Sequence, residues 1–216
     1  KRLAKDGYVA AVNYSSDADA AARVVNDIVE DGGSAEAFQA DVSTEAAVVG
    51  LFEAIDASPL PPLTGLVNNA GIIGFDMPQT LETATTDAFE AMMATNLLGP
   101  LMCCREAAKR MAPGSAVVNL SSGSAYLGRP LLYSMSKGAL NSMQHGLIEP
   151  LAATGAIAAQ SARSEWPAAT GAAWAARETR AARGRPAAAA EARAATARRA
   201  AAAAATAAAA VAAAAA

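Results

Sequence analysis

The sequence predicts an α/β fold: a doubly wound parallel sheet in a single three-layer α/β/α domain. Three observations predict it. Short apolar, strand-like runs alternate with helical stretches of about a dozen residues or more between Tyr8 and Leu151, and connections of that length are what parallel neighbours require. Small polar residues, Asn13, Asp41, Asn68 and Ser122, fall at or just beyond the carboxyl ends of those runs, where such sheets gather their ligands. A chain of 216 residues suits one domain of this kind.

The elements follow in order. Lys1 to Gly7 reads as the end of a helix, and Tyr8–Tyr14 (YVAAVNY) as a strand. Asp17–Glu30 reads as a helix with Val24, Val25, Ile28 and Val29 on one side. Ala35–Val42 is a second strand, and a helix runs from Thr44 to about Ile55 until Pro59, Pro61 and Pro62 forbid its continuation. Gly65–Asn69 is a strand, Asp87–Met111 a long helix, Ala116–Leu120 a strand and Leu131–Leu151 another long helix. Ala156–Gln160 is a candidate sixth strand.

Composition narrows the function classes. Seventeen basic against 20 acidic residues give no argument for nucleic acid or an anionic membrane surface. Cys103 and Cys104 are adjacent, which disfavours a disulfide between them, and they read as small buried apolar groups in a reducing compartment. No secretory signal or membrane span is visible, so a cytoplasmic location is expected. His145, the single histidine, has only Glu149 at ligand spacing and gives no metal site; the methionines, Met92, Met93 and Met143 among them, read as packing.

The chemistry concentrates in Leu132-Tyr133-Ser134-Met135-Ser136-Lys137. Tyr133 and Lys137 are one helical turn apart and share a face. A free phenol titrates near ~10, and an ammonium held beside one favours its charged form. Ser122 ends an apolar strand, Asn68-Asn69-Ala70-Gly71 ends another, and Asn96 sits in a helix. These motifs, in this order from about Lys1 to about Gly155, resemble the short-chain dehydrogenase/reductase family, and its 3-oxoacyl reductase and sugar dehydrogenase members in particular.

The resemblance implies a Rossmann-like fold and an NAD(P)-dependent oxidoreductase that interconverts a carbonyl and an alcohol. It implies Tyr133 as general acid/base, Lys137 on the nicotinamide ribose, Ser122 on the substrate oxygen and Asn96 in a water-linked proton relay. It also implies that Asn69, Ala70 and Gly71 line the cofactor site, and that Asp41, followed by Val42, reaches the adenine ring; Asp41 also reads as a helix cap. Ser121 reads as a turn residue. A carboxylate at the end of the Tyr8–Tyr14 strand would favour NAD, but Asn13, Ser15 and Ser16 stand there, so NADP is expected. The same residues also read as a turn and helix cap, with Ser16 or Asp17 opening the next helix. A homotetramer or homodimer packed through the two long helices is implied, and the alternative is a non-catalytic binding or scaffold subunit.

Three features depart from the family pattern. No glycine-rich phosphate loop or preceding strand stands before Tyr8, so a longer chain is expected, and a sheet without that strand would expose unpaired edges. Ser122 and Tyr133 are eleven residues apart, slightly short for the family. Beyond Gly155 no Pro-Gly turn appears, with Trp166-Pro167-Ala168 the nearest candidate. We therefore divide the chain into a core over 1–155 and an Ala/Arg-rich part over 156–216. That part carries eight arginines and three glutamates, and only Thr206 and Val211 interrupt the alanines after Ala200. Three readings stay open for it: alanine standing for unidentified side chains, a shifted reading frame, or a low-complexity extension.

Overall fold

The structure is a computed structural model that describes residues 1–163. The Trp166-Pro167-Ala168 segment and the alanine-rich run lie outside the described residues. Strands β1 (Ala10–Tyr14) and β2 (Ala35–Gln39) pair in parallel from Ala10 opposite Ala35 to Tyr14 opposite Gln39. Strands β3 (Gly65–Asn68), β4 (Ala116–Ser122) and β5 (Ile157–Arg163) form a second parallel set in the order β3-β4-β5. The parallel α/β reading holds, and the sheet continues past Gly155 into β5.

Among the described residues no strand lies on the free edges of β1 and β3. A cavity of about 710 Å³ runs along both, lined by Ala11 and Asn13 on one side, Val67 and Asn68 on the other, and Phe52 and Cys103 from the helices. The unpaired edges expected from the sequence are thus found facing one space.

Local chemistry sets the helix boundaries. Short α1 (Arg2–Lys5) closes when the Tyr8 N–H donates to the Leu3 carbonyl, which delays β1 to Ala10. Asp17 caps α2 (Ala18–Glu30) by accepting the Ala20 N–H at 2.7 Å. Ala21, Val24, Val25 and Ile28 face inward on α2, whereas Val29, expected among them, is 55% exposed because it lies a further 100° round the helix. β2 stops at Gln39, short of Val42. After the Ala40 N–H reaches the Tyr14 carbonyl, the Asp41 carboxylate accepts the Ser43 N–H and turns the chain. Thr44 then caps α3 (Glu45–Ala57).

The long helix expected over Asp87–Met111 is α4 (Thr86–Met93), a π turn (Ala94–Leu98) and α5 (Gly99–Ala108) in succession. A Cβ on Gly99 would stand 2.8 Å from the Val42 carbonyl oxygen, so only glycine lets the helix press against that loop. The helix stops before Met111 because the Arg110 and Met111 N–H groups both return to the Ala107 carbonyl ahead of Pro113-Gly114. Ser124–Leu127 form a short α6, absent from the sequence reading and closed by left-handed Gly128; α7 runs over Leu131–Ala153.

The main core joins Phe38, Val48, Leu51, Phe52, Cys103, Cys104 and Val117. Burial pushes the two thiols up to about 12 and about 11, so they behave as the small apolar groups expected. A smaller cluster of Ala88, Met92 and Leu132 packs against Ile72, Met77 and Tyr133.

Glu106 on α5 is buried, and its carboxylate gathers Lys109, Arg110 and Arg105, while Arg110 reaches Asp56 on α3. The Lys109 hydrogen bond, followed by those from Arg110 and Arg105, holds Glu106 below 4.5, at about 2. An acid depressed on folding stabilises the protein above its unfolded value and loses that contribution as pH falls through its folded one. The urea midpoint of the wild type is therefore expected to exceed that of Glu106→Gln at neutral pH, and the gap to close between about pH 4.5 and 2. A gap independent of pH would show that the carboxylate charge is not what the cations hold.

Candidate active site

Helix α7 is tied to β4 by a ladder of polar contacts. Asn119 donates to the Gln144 oxygen at 2.6 Å, and Ser121 donates to the Asn141 side chain and, at 3.4 Å, to the Lys137 carbonyl. Lys137 donates from Nζ to the Leu120 carbonyl at 2.9 Å. Asn68 extends the ladder to β3 by donating to Asn119 at 2.7 Å. The spacing explains it: alternate strand residues 119 and 121 meet helix residues 137, 141 and 144 on one face. Ser121 is therefore a buried strand residue and not the turn residue expected.

This ladder sets Tyr133 and Lys137 beside the end of β4. Lys137 is buried, and its Nζ stands 5.7 Å from the centre of the Tyr133 ring. Burial lowers its pKa below the ordinary 10.5. Among the described residues no carboxylate pairs with it. Ser122 accepts the Ser124 N–H at 3.1 Å, which leaves its hydroxyl proton for another acceptor. The eleven-residue interval from Ser122 to Tyr133 is filled by α6 and its Gly128 cap.

Asn96 is fully buried in the π turn, a backbone irregularity often found at functional sites. Its amide accepts the Ile72 N–H at 2.8 Å and donates to the Ile72 carbonyl at 2.9 Å and to Ser136 Oγ at 3.0 Å. Ile72 follows Gly71, where a Cβ would lie 3.2 Å from Asn96 Oδ1 and 3.5 Å from Lys137 Nζ. Gly71, Asn96, Tyr133 and Lys137 thus converge, and the bare Gly71 backbone keeps the approach to the lysine open.

The other residues read as cofactor ligands lie along the cavity and the adjoining strand ends. Asn13, Val42, Asn69 and Ala70 line the cavity from both half-sheets. Asn13 donates to the Phe38 and Ala40 carbonyls, so its amide also ties β1 to the end of β2. Ser15 and Ser16 are exposed beyond β1; the Ser15 carbonyl accepts from Gln39. The first acid after β1, Asp17, is spent on capping α2. Asp41 is exposed, and the Ser43 backbone N–H and then its hydroxyl hold its carboxyl below the usual range. Among the described residues no group of His, Cys, Asp and Glu could hold a metal ion, and no helix is long and apolar enough to cross a membrane.

Sequence reasoning missed Gln79, Ser136, Asn119 and Gln144. Ser136 lies inside the Tyr133–Lys137 run but finds Asn96 only across the fold, and the partners of Gln79, Asn119 and Gln144 likewise come from separate elements.

This arrangement of a Tyr–Lys helix on a parallel sheet defines a class of protein, and comparison with known proteins specifies it. The family model for short chain dehydrogenases matches residues 1–181. An uncharacterized oxidoreductase, YgfF, of Escherichia coli (strain K12) is 44% identical over 161 residues, 71% of this chain and 64% of that protein. The promiscuous reductase LugOII, which catalyses keto-reduction at C1 during lugdunomycin biosynthesis, superposes with a TM-score of 0.69 at 30% identity, over 74% of this chain and 68% of that one. A blue fluorescent protein from a metagenomic library, solved in complex with NADPH, gives 0.68 at 34% identity, over 74% and 66%. The chain belongs to the short-chain dehydrogenase family. It spans 64% and 60% of the length of two of the curated relatives it matches and about half of several others.

Proposed function

We propose that the protein is an NADP-dependent oxidoreductase that interconverts a carbonyl and an alcohol. The observation that carries the reading is the buried Lys137 ammonium, unpaired by any described carboxylate, between Tyr133, Gly71 and the end of β4. A buried cation without an anion is costly unless a ligand or a reaction uses it.

The residues fit both ends of a dinucleotide. Exposed Asp41 and the Asn13–Ser16 turn offer groups for the adenosine end, and Gly71, Tyr133 and Lys137 for the nicotinamide end. NADPH, when bound, supplies the hydride. Ser122 donates to the substrate oxygen, and Tyr133 hands it the proton in reduction and removes it in oxidation. Lys137 holds the ribose and keeps the site positive. Asn96 spends its side chain on Ile72 and Ser136, so it supports the proton relay by fixing the loop after Gly71 to the Tyr133 helix.

Two observations support NADP over NAD: β1 ends without an available carboxylate, and the fluorescent relative binds NADPH. A domain core over 1–155 extended by β5, a cytoplasmic location and assembly as a dimer or tetramer complete the proposal. Exposed Leu98, Leu101 and Ile148 on the long helices support assembly. The test is a fluorescence titration with NADPH and NADH, followed by turnover of small aldehydes and ketones. NADPH is expected to give at least about tenfold higher kcat/KM. Preference for NADH would overturn the cofactor assignment, and tight NADPH binding without turnover would favour a binding subunit.

A further inference from the structure

Gln79 is buried in the loop between β3 and α4, 54 residues from Tyr133 in the chain. Its Nε2 donates to the Gly74 carbonyl at 2.6 Å and to the Ile73 carbonyl at 3.0 Å, and its Oε1 accepts the Tyr133 N–H at 3.3 Å. Only this orientation of the amide satisfies all three; reversed, it would set oxygen against two carbonyls and NH₂ against an N–H. The loop itself is built to bring Gln79 back. Gly74 is left-handed at φ +69, a Cβ there would collide with Met77 Sδ at 2.6 Å, and the Met77 N–H closes the turn on the Gly74 carbonyl.

The Tyr133 N–H sits in the first turn of α7, where no carbonyl of the helix can accept it. Pro130, the residue before the helix, makes no side-chain cap. Gln79 supplies the missing acceptor from another part of the fold. On the other side of the same residue, the Tyr133 carbonyl accepts from Ser136 Oγ at 2.7 Å, and Ser136 accepts from Asn96 at 3.0 Å. Asn96 in turn clamps Ile72, next to the two carbonyls that Gln79 holds. The circuit Asn96–Ile72–Gly74–Gln79–Tyr133–Ser136–Asn96 closes on itself. The tyrosine N–H is fixed to the loop that follows Gly71 through Gln79, and its carbonyl is linked to that loop through Ser136 and Asn96.

We propose that Gln79 is a positioning residue for Tyr133, setting the tyrosine against the Gly71 loop through one bond to its N–H and two to the loop carbonyls. The proposal rests on the assignment of Tyr133 as the proton-transfer group. Displacement of a reacting group by about 1 Å costs on the order of 10²-fold in rate, and no other described side chain accepts the Tyr133 N–H.

The test compares Gln79→Leu, Gln79→Glu and Tyr133→Phe in the full chain. Leucine removes all three bonds at similar volume. Glutamate keeps an acceptor for the Tyr133 N–H but sets a carboxylate against the Ile73 and Gly74 carbonyls. Hydrogen exchange at the start of α7, without cofactor, is the readout independent of activity. The Tyr133 amide is expected to exchange about tenfold faster in Gln79→Leu than in wild type, and by less in Gln79→Glu, which still offers the N–H an acceptor. With NADPH and an aldehyde, kcat is expected to fall about 10- to 100-fold in both variants, because each loses the two bonds to the loop carbonyls, with KM for NADPH within about twofold. An unchanged kcat in Gln79→Leu, wild-type exchange of the Tyr133 amide in Gln79→Leu, or loss of NADPH binding in Gln79→Leu would each overturn the positioning role; the last would make Gln79 a requirement for folding. Tyr133→Phe separates the two failures. If it stays active, the proton-transfer assignment falls and the positioning role with it. If it is inactive while Gln79→Leu is not, Gln79 alone is reassigned.

Discussion

A Tyr133→Phe protein is expected to lose turnover by about 10²- to 10⁴-fold, the usual worth of a positioned proton donor, while NADPH binding and Tm stay at wild-type values. The separation follows from how Tyr133 is held. Its ring packs with Ile72 and Met77 against Ala88, Met92 and Leu132, and phenylalanine presents the same ring to them. Its N–H and C=O are held by Gln79 and Ser136 through the main chain, which the substitution leaves intact. Only the hydroxyl is removed. The measurements are single-turnover rates with a small aldehyde, a fluorescence titration with NADPH and a thermal melt. Retained turnover would remove the proton-transfer role; lost NADPH binding would make the hydroxyl a cofactor ligand first.

The sequence disclosed much of this site because its parts are local. Tyr133 and Lys137 share a helical face by spacing alone, and Ser122 and Asn68-Asn69-Ala70-Gly71 announce strand ends by the change from apolar to small polar residues. Asp17 is legible as a cap for the same reason, its partner lying three residues on; the cap read at Asp41 is instead Thr44, because Asp41 folds onto Ser43. Boundaries were less legible. β2 ends at Gln39 because Asp41 folds onto Ser43, and α5 ends at Ala108 because two N–H groups compete for one carbonyl. Neither appears in apolar periodicity. The π turn around Asn96 was invisible for a related reason: the requirement for it comes from Ile72, 24 residues away. Gln79 is the extreme case. A glutamine in an irregular loop carries no periodic or motif signal, and its partners come from two elements that meet only in the folded chain.

The second large effect concerns Lys137, where function and stability should move in opposite directions. Lys137 is 5% exposed, and its ammonium bonds the Leu120 carbonyl, with no described carboxylate to offset its desolvation. Burial lowers its pKa from 10.5, so between that lowered value and 10.5 the folded protein binds fewer protons than the unfolded chain. Stability contributed by this residue therefore rises with pH through that window, and the charge is a net cost at neutral pH. Lys137→Met keeps an unbranched chain of similar length and removes the charge. It also strands the Leu120 carbonyl, a loss of about 1 kcal/mol, while replacement of a buried charge by an apolar group returns about 1–4 kcal/mol. The expected outcome is a Tm equal to or a few degrees above wild type at pH 7, with the difference shrinking as pH approaches 10. Turnover should fall at least about 10²-fold, and NADPH should bind more weakly because the proposed ribose contact is gone. A structural lysine predicts the reverse pattern: a lower Tm at pH 7, little dependence of the difference on pH, and cofactor affinity unchanged. Melts of the two proteins across pH 6 to 10, with NADPH titrations alongside, decide between them, because only a residue held at the expense of the fold for the sake of a ligand yields a protein that is no less stable and far less active.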